Sequence, residues 1–191
     1  MNIPSKYLKA ALLFAAKKDA RYYLNGVLFE VLNGQARLVA TDGNMLGVFQ
    51  LGECSLPDTQ IIIPREKIEV IKLKADEVTL RPGDGKTCAL VYSGDEFTFT
   101  AIDARFPDYR RVIPSGVMSG ESAQFSSELI VVMGKAYKVL NPSSKWNMPY
   151  ISHNGLRGAL VDLNDDNFLG VIMPLKTTAR GGRPLRTKAW L

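Results

Sequence analysis

A unit made of one helix followed by three strands recurs three times along this chain of 191 residues. The helices are predicted to begin near Ser5, Pro64 and Ser127, and their spacing of about 60 residues is longer than that of the common solenoid repeats. One amphipathic helix on a sheet cannot bury its own apolar surfaces, so neighbouring units should extend the sheet and place their helices side by side. The sequence therefore predicts an α+β fold in which three helices cover one face of antiparallel sheets.

Apolar periodicity and turn residues define the predicted elements. Helices are predicted over residues 5–19, 64–74 and 127–140, with serine caps on the first and third and a proline at the first position of the second. Strands divided by Asn-Gly, Asp-Gly and similar turns are predicted at 22–32, 37–40, 45–51, 77–81, 87–92, 96–102, 150–153, 158–163 and 168–173. A short strand is also predicted just before each helix, at 2–3, 60–63 and 122–125.

The formal net charge of +5 is unevenly distributed. Each predicted helix holds more basic than acidic residues, and so does the segment 177–191, whereas the strands and loops together are acidic. A solvated helix in any protein can be rich in lysine, but three helices of one sign favour a single surface that meets a polyanion. Because few aromatic residues lie among these lysines, the pattern favours contact with a phosphate backbone without sequence preference.

The sequence offers little for an enzyme, and we expect no catalytic activity, cofactor or metal. Cys54, Cys88 and the single histidine His153 stand at no metal-ligand spacing, and phosphate-binding and hydrolase motifs are absent from the sequence. The carboxylates that could instead hold a metal are Asp162, Asp165 and Asp166, for which a turn between two strands is the simpler interpretation. Without a signal-peptide pattern or an apolar run of about 18 residues, the chain is expected in the cytoplasm, away from membranes.

Five segments resemble, in order and spacing, the bacterial replicative sliding clamp, the β subunit of DNA polymerase III. They are Asp-Ala-Arg-Tyr-Tyr-Leu-Asn-Gly at 19–26, Val-Ala-Thr-Asp-Gly at 39–43, Ile-Ile-Pro-Arg at 62–65, Phe-Pro-Asp-Tyr-Arg-Arg-Val-Ile-Pro at 106–114 and Val-Ile-Met-Pro-Leu at 171–175. Residues 1–114 resemble two units that form the family's middle domain, and 115–176 resemble the second half of its last domain. A basic tail, 177–191, has no counterpart in the family, and the whole resembles a short form of the type that a phage or mobile element encodes.

The resemblance implies a clamp fold, a non-enzymatic processivity factor for DNA replication, and a closed ring around duplex DNA with the helices inward. The residues implied to face DNA are Lys6, Lys9, Lys17, Lys18, Arg21, Arg65, Lys67, Lys72, Lys74, Lys135 and Lys138. Family members tether a polymerase or other clients through a short peptide held in a hydrophobic pocket. The matching positions are Leu24, Thr41, Gly43, Asn44, Met45, Leu46, Pro107, Arg111, Val112, Val171, Ile172, Met173, Pro174, Leu175 and Lys176.

Two alternatives and one departure accompany this reading. Residues such as Leu24, Leu46, Val112 and Ile172 would also suit the core of any sheet protein. A clamp-like adaptor or competitor could bind clamp-binding peptides without encircling DNA. Where the family usually has His-Arg after its Thr-Asp-Gly turn, this chain has Asn-Met at 44–45, which replaces a cation by a soft apolar side chain and alters the expected peptide preference.

The resemblance also implies an assembly. Rings of the family contain twelve such units, so three units per chain predict a homotetramer, with a dimer or monomer as alternatives. Because the units alternate in orientation, closure is expected through like-to-like contacts of unit one with unit one and of unit three with unit three. The strands at 22–32 and 168–173 are expected to be the sheet edges that assembly covers.

Overall fold

The computed structural model describes residues 1–71 and 76–175. Its helices are α1 (Ser5–Phe14), α2 (Arg65–Val70) and α3 (Ser127–Leu140), and short 3-10 helices lie at Tyr22–Leu24 and Tyr109–Val112. The strands are β1 (Asn2–Pro4), β2 (Gly26–Leu32), β3 (Gln35–Thr41), β4 (Met45–Glu53), β5 (Thr59–Pro64), β6 (Glu77–Pro82), β7 (Thr87–Tyr92), β8 (Asp95–Thr100), β9 (Tyr150–Ser152), β10 (Ala159–Asp162) and β11 (Phe168–Ile172). Within the described ranges, no helix has the length and apolar character needed to cross a bilayer.

The strands form two antiparallel sheets. One has four strands in the order β1-β6-β7-β8, and the other has seven in the order β5-β2-β3-β4-β11-β10-β9. Unit one comprises β1, α1 and β2–β4; unit two comprises β5, α2 and β6–β8; and unit three comprises residues 122–125, α3 and β9–β11. The seven-stranded sheet therefore continues from unit one into unit three through the pairing of β4 with β11.

Units one and two exchange their first strands. β1 leaves unit one and pairs with β6 of unit two, while β5 leaves unit two and pairs with β2 of unit one. Each exchanged strand leads directly into its own helix, so each of the two helices is connected, through the strand before it, to the sheet of the other unit. The predicted α+β architecture with antiparallel sheets is thus confirmed, and the exchange adds a contact that sequence periodicity does not encode.

The three helices lie in one layer over the sheets. α1 contacts α2 on one side and α3 on the other, and it packs on β3 and β4. Strand residues that point toward this layer form the main core, in which the rings of Phe14, Phe49 and Phe168 meet at centroid distances between 5.1 and 6.0 Å. The prediction that the helices share one face is confirmed.

The opposite face of the seven-stranded sheet is covered by the segment 101–114, called here the connector. Phe106 and Tyr109 of the connector are buried against Leu28, Val39 and Val171. This second, smaller core joins strands of unit one to a strand of unit three. The connector therefore reinforces the β4–β11 junction from the side that faces away from the helices.

Several predicted elements differ from the structure. α1 ends at Phe14 rather than residue 19, because Ala15 is extended (ψ 140°) and the Ala16 N–H donates to the Leu24 carbonyl at 2.9 Å. The caps of α1 and α3 lie one residue earlier than the predicted serines, at Pro4 and Ser126. Pro64, predicted at the first helical position, is instead the cap of α2, which begins at Arg65. The strand predicted at 122–125 is wrong, since these described residues belong to neither sheet.

The predicted sheet edges are also wrong. β2 lies between β5 and β3, and β11 lies between β4 and β10, so the backbones of both strands are paired within the chain. The actual edge strands of the described sheets are β1, β8, β5 and β9. Because β4 already pairs with β11, the outer strand of unit one is not available for the predicted contact between two copies of unit one.

Candidate peptide-binding cavity and helix surface

A cavity of about 230 Å³ opens on the connector side of the sheet, at the junction of units one and three. Its apolar floor includes the buried side chains of Leu24, Leu46 and Val171. The full lining is Arg21, Tyr23, Leu24, Thr41, Gly43, Asn44, Met45, Leu46, Pro107, Asp108, Tyr109, Val112, Val171 and Met173. A groove of this kind, apolar with polar groups at its rim, suits an extended peptide that carries apolar side chains.

One wall of the cavity is the turn between β3 and β4. The Asp42 carboxylate accepts the N–H groups of Asn44 and Met45 at 2.7 and 2.9 Å, and the Thr41 hydroxyl donates to the Met45 carbonyl at 2.6 Å. Gly43 has φ +94°, and a Cβ there would lie 2.9 Å from Nη1 of Arg21. The turn is therefore held in one conformation, and its glycine gives Arg21 room beside the cavity.

The opposite wall is the connector, which a buried carboxylate attaches to the sheet. Glu30 on β2 is 3% exposed, and it accepts hydrogen bonds from the Tyr109 hydroxyl at 2.8 Å and from Gln60 at 3.0 Å. It also binds the Arg110 guanidinium and lies 3.6 Å from Arg37. Burial raises the pKa of Glu30, but the hydrogen bonds from Arg110, Tyr109 and Gln60 outweigh it and lower the pKa below its usual value.

The hydrogen bond between Tyr109 and Glu30 lowers the pKa of Glu30 but raises the pKa of Tyr109. Burial, followed by the hydrogen bond to the Glu30 carboxylate, raises the pKa of Tyr109 to about 12. The phenol is therefore a neutral donor under ordinary conditions. Tyr109 also lines the cavity, so the network that holds the connector fixes one surface of the site.

The structure brings most of the residues matched to the family pocket around this cavity. Those that line it are Leu24, Thr41, Gly43, Asn44, Met45, Leu46, Pro107, Val112, Val171 and Met173. Ile172 does not line it, because alternate strand residues point to opposite faces and Ile172 is fully buried in the helix-side core. Arg111 lies in a neighbouring depression with Val112 and Met173 and pairs with Asp108 at 3.1 Å.

The end of the predicted pocket segment runs away from the cavity. Pro174 and Leu175 are absent from the lining, and the Leu175 N–H donates instead to the Gln124 carbonyl at 2.7 Å. Lys176 lies outside the described residues.

Four lining residues were missed by the sequence reading. They are Arg21, Tyr23, Asp108 and Tyr109. All four lie within segments that carried the family resemblance, beside residues that were selected. Local helical spacing could have identified them. The segments at 21–24 and 108–112 each form a short 3-10 helix, and each presents neighbouring residues to the cavity.

Exposed basic side chains remain on or next to the helix layer. They are Lys9, Lys17, Lys18, Lys67, Lys135 and Lys138. Lys17 and Lys18 follow the end of α1 rather than lying within it, and Lys138 donates to the Ser144 carbonyl at 2.7 Å. Lys72 and Lys74, and the tail 177–191, lie outside the described residues. Contact with a phosphate backbone requires such accessible cations, which exchange their partners easily.

Three residues assigned to the DNA side are engaged elsewhere. Arg65 is only 18% exposed at its side chain and donates to the carbonyls of Leu12 and Ala15 at 2.7 and 2.9 Å, at the end of α1. Lys6 pairs with the mostly buried Asp165 at 2.8 Å. Arg21 lines the cavity and donates to the Asp42 carbonyl at 3.1 Å, so its assignment to the helix surface is corrected.

The residues considered for metal binding or catalysis have local partners. Asp165 accepts hydrogen bonds from Lys6 and from the Tyr7 hydroxyl at 3.0 Å, and His153 accepts the Ala123 N–H through Nδ1 at 3.1 Å. Cys54 is half-buried and Cys88 is buried, both as free thiols. Within 1–71 and 76–175, no three His, Cys, Asp or Glu side chains form a group able to hold a metal ion.

Solved structures share this arrangement of units. The DNA polymerase III subunit beta from Pseudomonas aeruginosa superposes with a TM-score of 0.71, at 21% identity over 92% of this chain and 65% of that one. The corresponding subunit from Thermotoga maritima gives a TM-score of 0.70 at 16% identity, again over 92% of this chain and 65% of that one. At these identities, the similarity defines the fold, which is that of the bacterial DNA clamp subunits.

Sequence similarity is stronger over the first part of the chain. Residues 3–108 match the family described as DNA polymerase III beta subunit, central domain. The beta sliding clamp of Salmonella typhimurium is 46% identical over 104 residues, which are 52% of this chain and 28% of that protein. The beta sliding clamp of Escherichia coli K12 is 42% identical over 115 residues, which are 57% of this chain and 31% of that protein.

The chain belongs to the DNA polymerase III beta subunit family. It matches less than a third of the length of these two curated relatives.

Proposed function

We propose that this chain is a DNA sliding clamp, a processivity factor without catalytic activity that encircles duplex DNA and tethers a polymerase or another client. The observation that carries the proposal is the opposed placement of two surfaces in a member of this family. A layer of three helices with exposed lysines covers one side, and an apolar cavity opens on the connector side. One surface suits sequence-independent phosphate contacts, and the other suits an apolar peptide.

The proposed division of labour follows the chain. Residues 1–114 supply a complete two-unit domain, and 115–176 supply a single unit that completes the cavity with Val171 and Met173. Four chains of three units would supply the twelve units of a ring, with a dimer or a monomer as the alternative states. Phosphate contacts of lysine are sequence-blind and exchange easily, which is the property that sliding along DNA in the cytoplasm would require.

A second candidate function is an adaptor or competitor that binds clamp-binding peptides without encircling DNA. The observation that favours it is that the cavity is complete within one chain, whereas a ring requires contacts between chains. The adaptor needs only the cavity and predicts little effect of reversing charges on the helices.

Retention on DNA separates the two functions. The chain is loaded on nicked circular and on linear duplex DNA, and the bound fraction is followed as salt is raised. A clamp remains longer on circles than on linear DNA. Replacing Lys9, Lys67 and Lys135 by Glu should lower the bound fraction on both templates, because the helix surface would then repel phosphate. The matched control Arg157→Glu, an exposed residue near the connector, should leave retention unchanged. Equal retention on both templates, or none, contradicts encirclement.

The cavity is tested separately with a fluorescein-labelled clamp-binding segment of a bacterial polymerase. Val112 and Met173 are exposed enough to be changed without opening the core. Val112→Ser with Met173→Ser should weaken binding by at least about tenfold, since each loses apolar contact area. Unchanged affinity in this double variant would contradict the peptide site.

A further inference from the structure

The strand exchange between units one and two has local two-fold symmetry, because the two units make equivalent pairings. Pro4 and Pro64 cap α1 and α2. Each faces the first residue of the strand that follows the other unit's helix, which is Glu77 of β6 for Pro4 and Gly26 of β2 for Pro64. The next residue along each chain repeats the symmetry. The Ser5 N–H donates to the Asp76 carbonyl at 2.7 Å, and the Arg65 N–H donates to the Asn25 carbonyl at 3.0 Å.

Unit three carries the same half of this exchange. The Leu175 N–H donates to the Gln124 carbonyl at 2.7 Å, just as the Ile102 N–H donates to the Ile62 carbonyl at 3.0 Å. Ser126 caps α3 with φ −62° and ψ 134°, close to the −58° and 137° of Pro64. Residues 122–125 therefore occupy, relative to their own unit, the place that β5 occupies in unit two.

The other half of the exchange is missing from the described residues. Residues 122–125 pair with no strand there, and β9, the first strand after α3, is the last strand of its sheet. In units one and two, the corresponding strand β2 or β6 has a neighbour on both sides. Within residues 1–71 and 76–175, unit three thus presents an unpaired segment and an open edge, whose counterparts in units one and two are paired.

Burial shows the same difference. Ile3 and Ile63 precede the caps of α1 and α2 and are fully buried, as are Val27 and Val78, the second residues of the receiving strands. Their equivalents in unit three, Phe125 and Ile151, are only half-buried. Three large side chains in β9 or in the segment just before it are more exposed still, namely Trp146 at 71%, Met148 at 67% and Tyr150 at 72%. Exposed apolar groups at a strand edge mark an interaction surface.

We propose that a second copy of this chain completes unit three by the same exchange. Residues 123–126 of each copy pair antiparallel with β9 of the other, so that Ser126 faces the partner's Tyr150 and Phe125 faces the partner's Ile151. Because each copy both gives and receives a segment, the contact is isologous and closes as a two-fold dimer. The occupant is a second copy because only a unit of this type offers both the segment and the edge.

This contact deepens the proposed ring without depending on it. In the chain, an exchange contact between units one and two alternates with a contact between last strands, in which β4 of unit one pairs with β11 of unit three. An exchange between two copies of unit three preserves the alternation and leaves β8, the last strand of unit two, at each end of the dimer. Two dimers joined through β8 contain twelve units, the number in the proposed ring.

A cysteine-pairing experiment tests the register. Opposed residues of antiparallel strands have Cα atoms about 4.5–5.5 Å apart, a distance that a disulfide spans. In a background with Cys54→Ser and Cys88→Ala, Ser126→Cys and Tyr150→Cys are made in separate proteins, mixed, and oxidised with copper phenanthroline. A covalent dimer should form in this mixture, but not with either protein alone or when Ser115→Cys replaces Ser126→Cys. Mixing separate proteins excludes a disulfide within one chain.

A second measurement avoids covalent capture. Tyr150→Asp places a charge at the open edge and should break the proposed contact, so the mass of the assembly in solution should fall. Leu156→Asp, at a residue of similar exposure (67%), should leave that mass unchanged. Equal cross-linking with Ser115→Cys, or no cross-link in folded protein, overturns the contact. If the folded protein forms no cross-link but is still retained on circular DNA, the contact is wrong and the clamp proposal stands. If the cross-linked dimer forms but is not retained on circular DNA, the contact is supported and the clamp proposal is contradicted.

Discussion

The Tyr109 hydroxyl donates a 2.8 Å hydrogen bond to Oε2 of Glu30, joining the connector to the middle of a strand 79 residues earlier in the chain. Glu30 is the buried member of a group that also includes Arg37, Gln60 and Arg110. The connector forms one wall of the cavity, so the geometry of the candidate peptide site depends on a charge that does not itself line it.

Replacing Glu30 by Gln should destabilise the fold, because it leaves Arg37 and Arg110 without their buried counter-ion. Fully buried pairs lose about 3–5 kcal/mol on such a change, and the 43% exposure of the Arg110 side chain reduces the expected loss to about 2 kcal/mol. Urea unfolding measures it. The control Glu96→Gln removes an exposed carboxylate paired with Arg81 and should cost less than about 1 kcal/mol. Equal losses in the two variants would contradict the anchoring role.

Alkaline titration should show the raised pKa of Tyr109. Its pKa of about 12 in the folded chain exceeds the ordinary value of 10.0, so its stabilisation is complete below pH 10 and is lost as the pH rises toward 12. The difference of two pKa units corresponds to about 3 kcal/mol in the free energy of unfolding. Tyrosinate absorbance of the native chain minus that of Tyr109→Phe isolates this residue. A midpoint near pH 10 in the difference curve would show that its hydroxyl is not held by Glu30.

Much of the architecture could be predicted from the sequence because it follows local periodicity. The bounds of α3 and β7 match the prediction, since apolar spacing and flanking turns specify them. The end of α1 could not be predicted in this way. Ala15 and Ala16 favour a helix, yet Arg65 from unit two binds the last carbonyls of α1 and the chain turns away.

The candidate cavity was partly predictable for a related reason. Strand alternation places Val171 and Met173 on one face and Ile172 on the other, so a position that matches the family pocket in order along the chain need not line the cavity. The exchange of β1 and β5 is not visible in the sequence at all, because it pairs strands of different units. For the same reason, residues 122–125 were predicted as a strand although the described chain supplies no strand to pair with them.

Acid should weaken the contact between α1 and unit three. Burial raises the pKa of Asp165, but hydrogen bonds from Lys6, the Asn167 N–H and Tyr7 lower it below its usual 3.8. The stabilisation is therefore present above that value and is lost as the pH falls through the lowered pKa. Asp165→Asn should lose about 1–2 kcal/mol near neutral pH and less in acid. Thermal unfolding against pH measures this, with the exposed neighbour Asp166→Asn as the control. A constant difference between the native chain and Asp165→Asn across the acid range would contradict it.

Arg65 and Lys67 lie two residues apart on α2 and should respond differently to loss of charge. Arg65 donates to the carbonyls of Leu12 and Ala15, so Arg65→Met should destabilise the fold by about 1–3 kcal/mol, because it leaves those helix-end acceptors unpaired. Lys67 is exposed, so Lys67→Met should leave the free energy of unfolding within about 0.5 kcal/mol. In DNA binding, we expect the larger effect from Lys67. Lys67→Met should reduce the salt dependence of binding, because one phosphate contact is lost. At a temperature where both variants are folded, Arg65→Met should retain the native salt dependence. A reduced salt dependence in folded Arg65→Met, with unchanged stability, would return this side chain to the DNA-facing set.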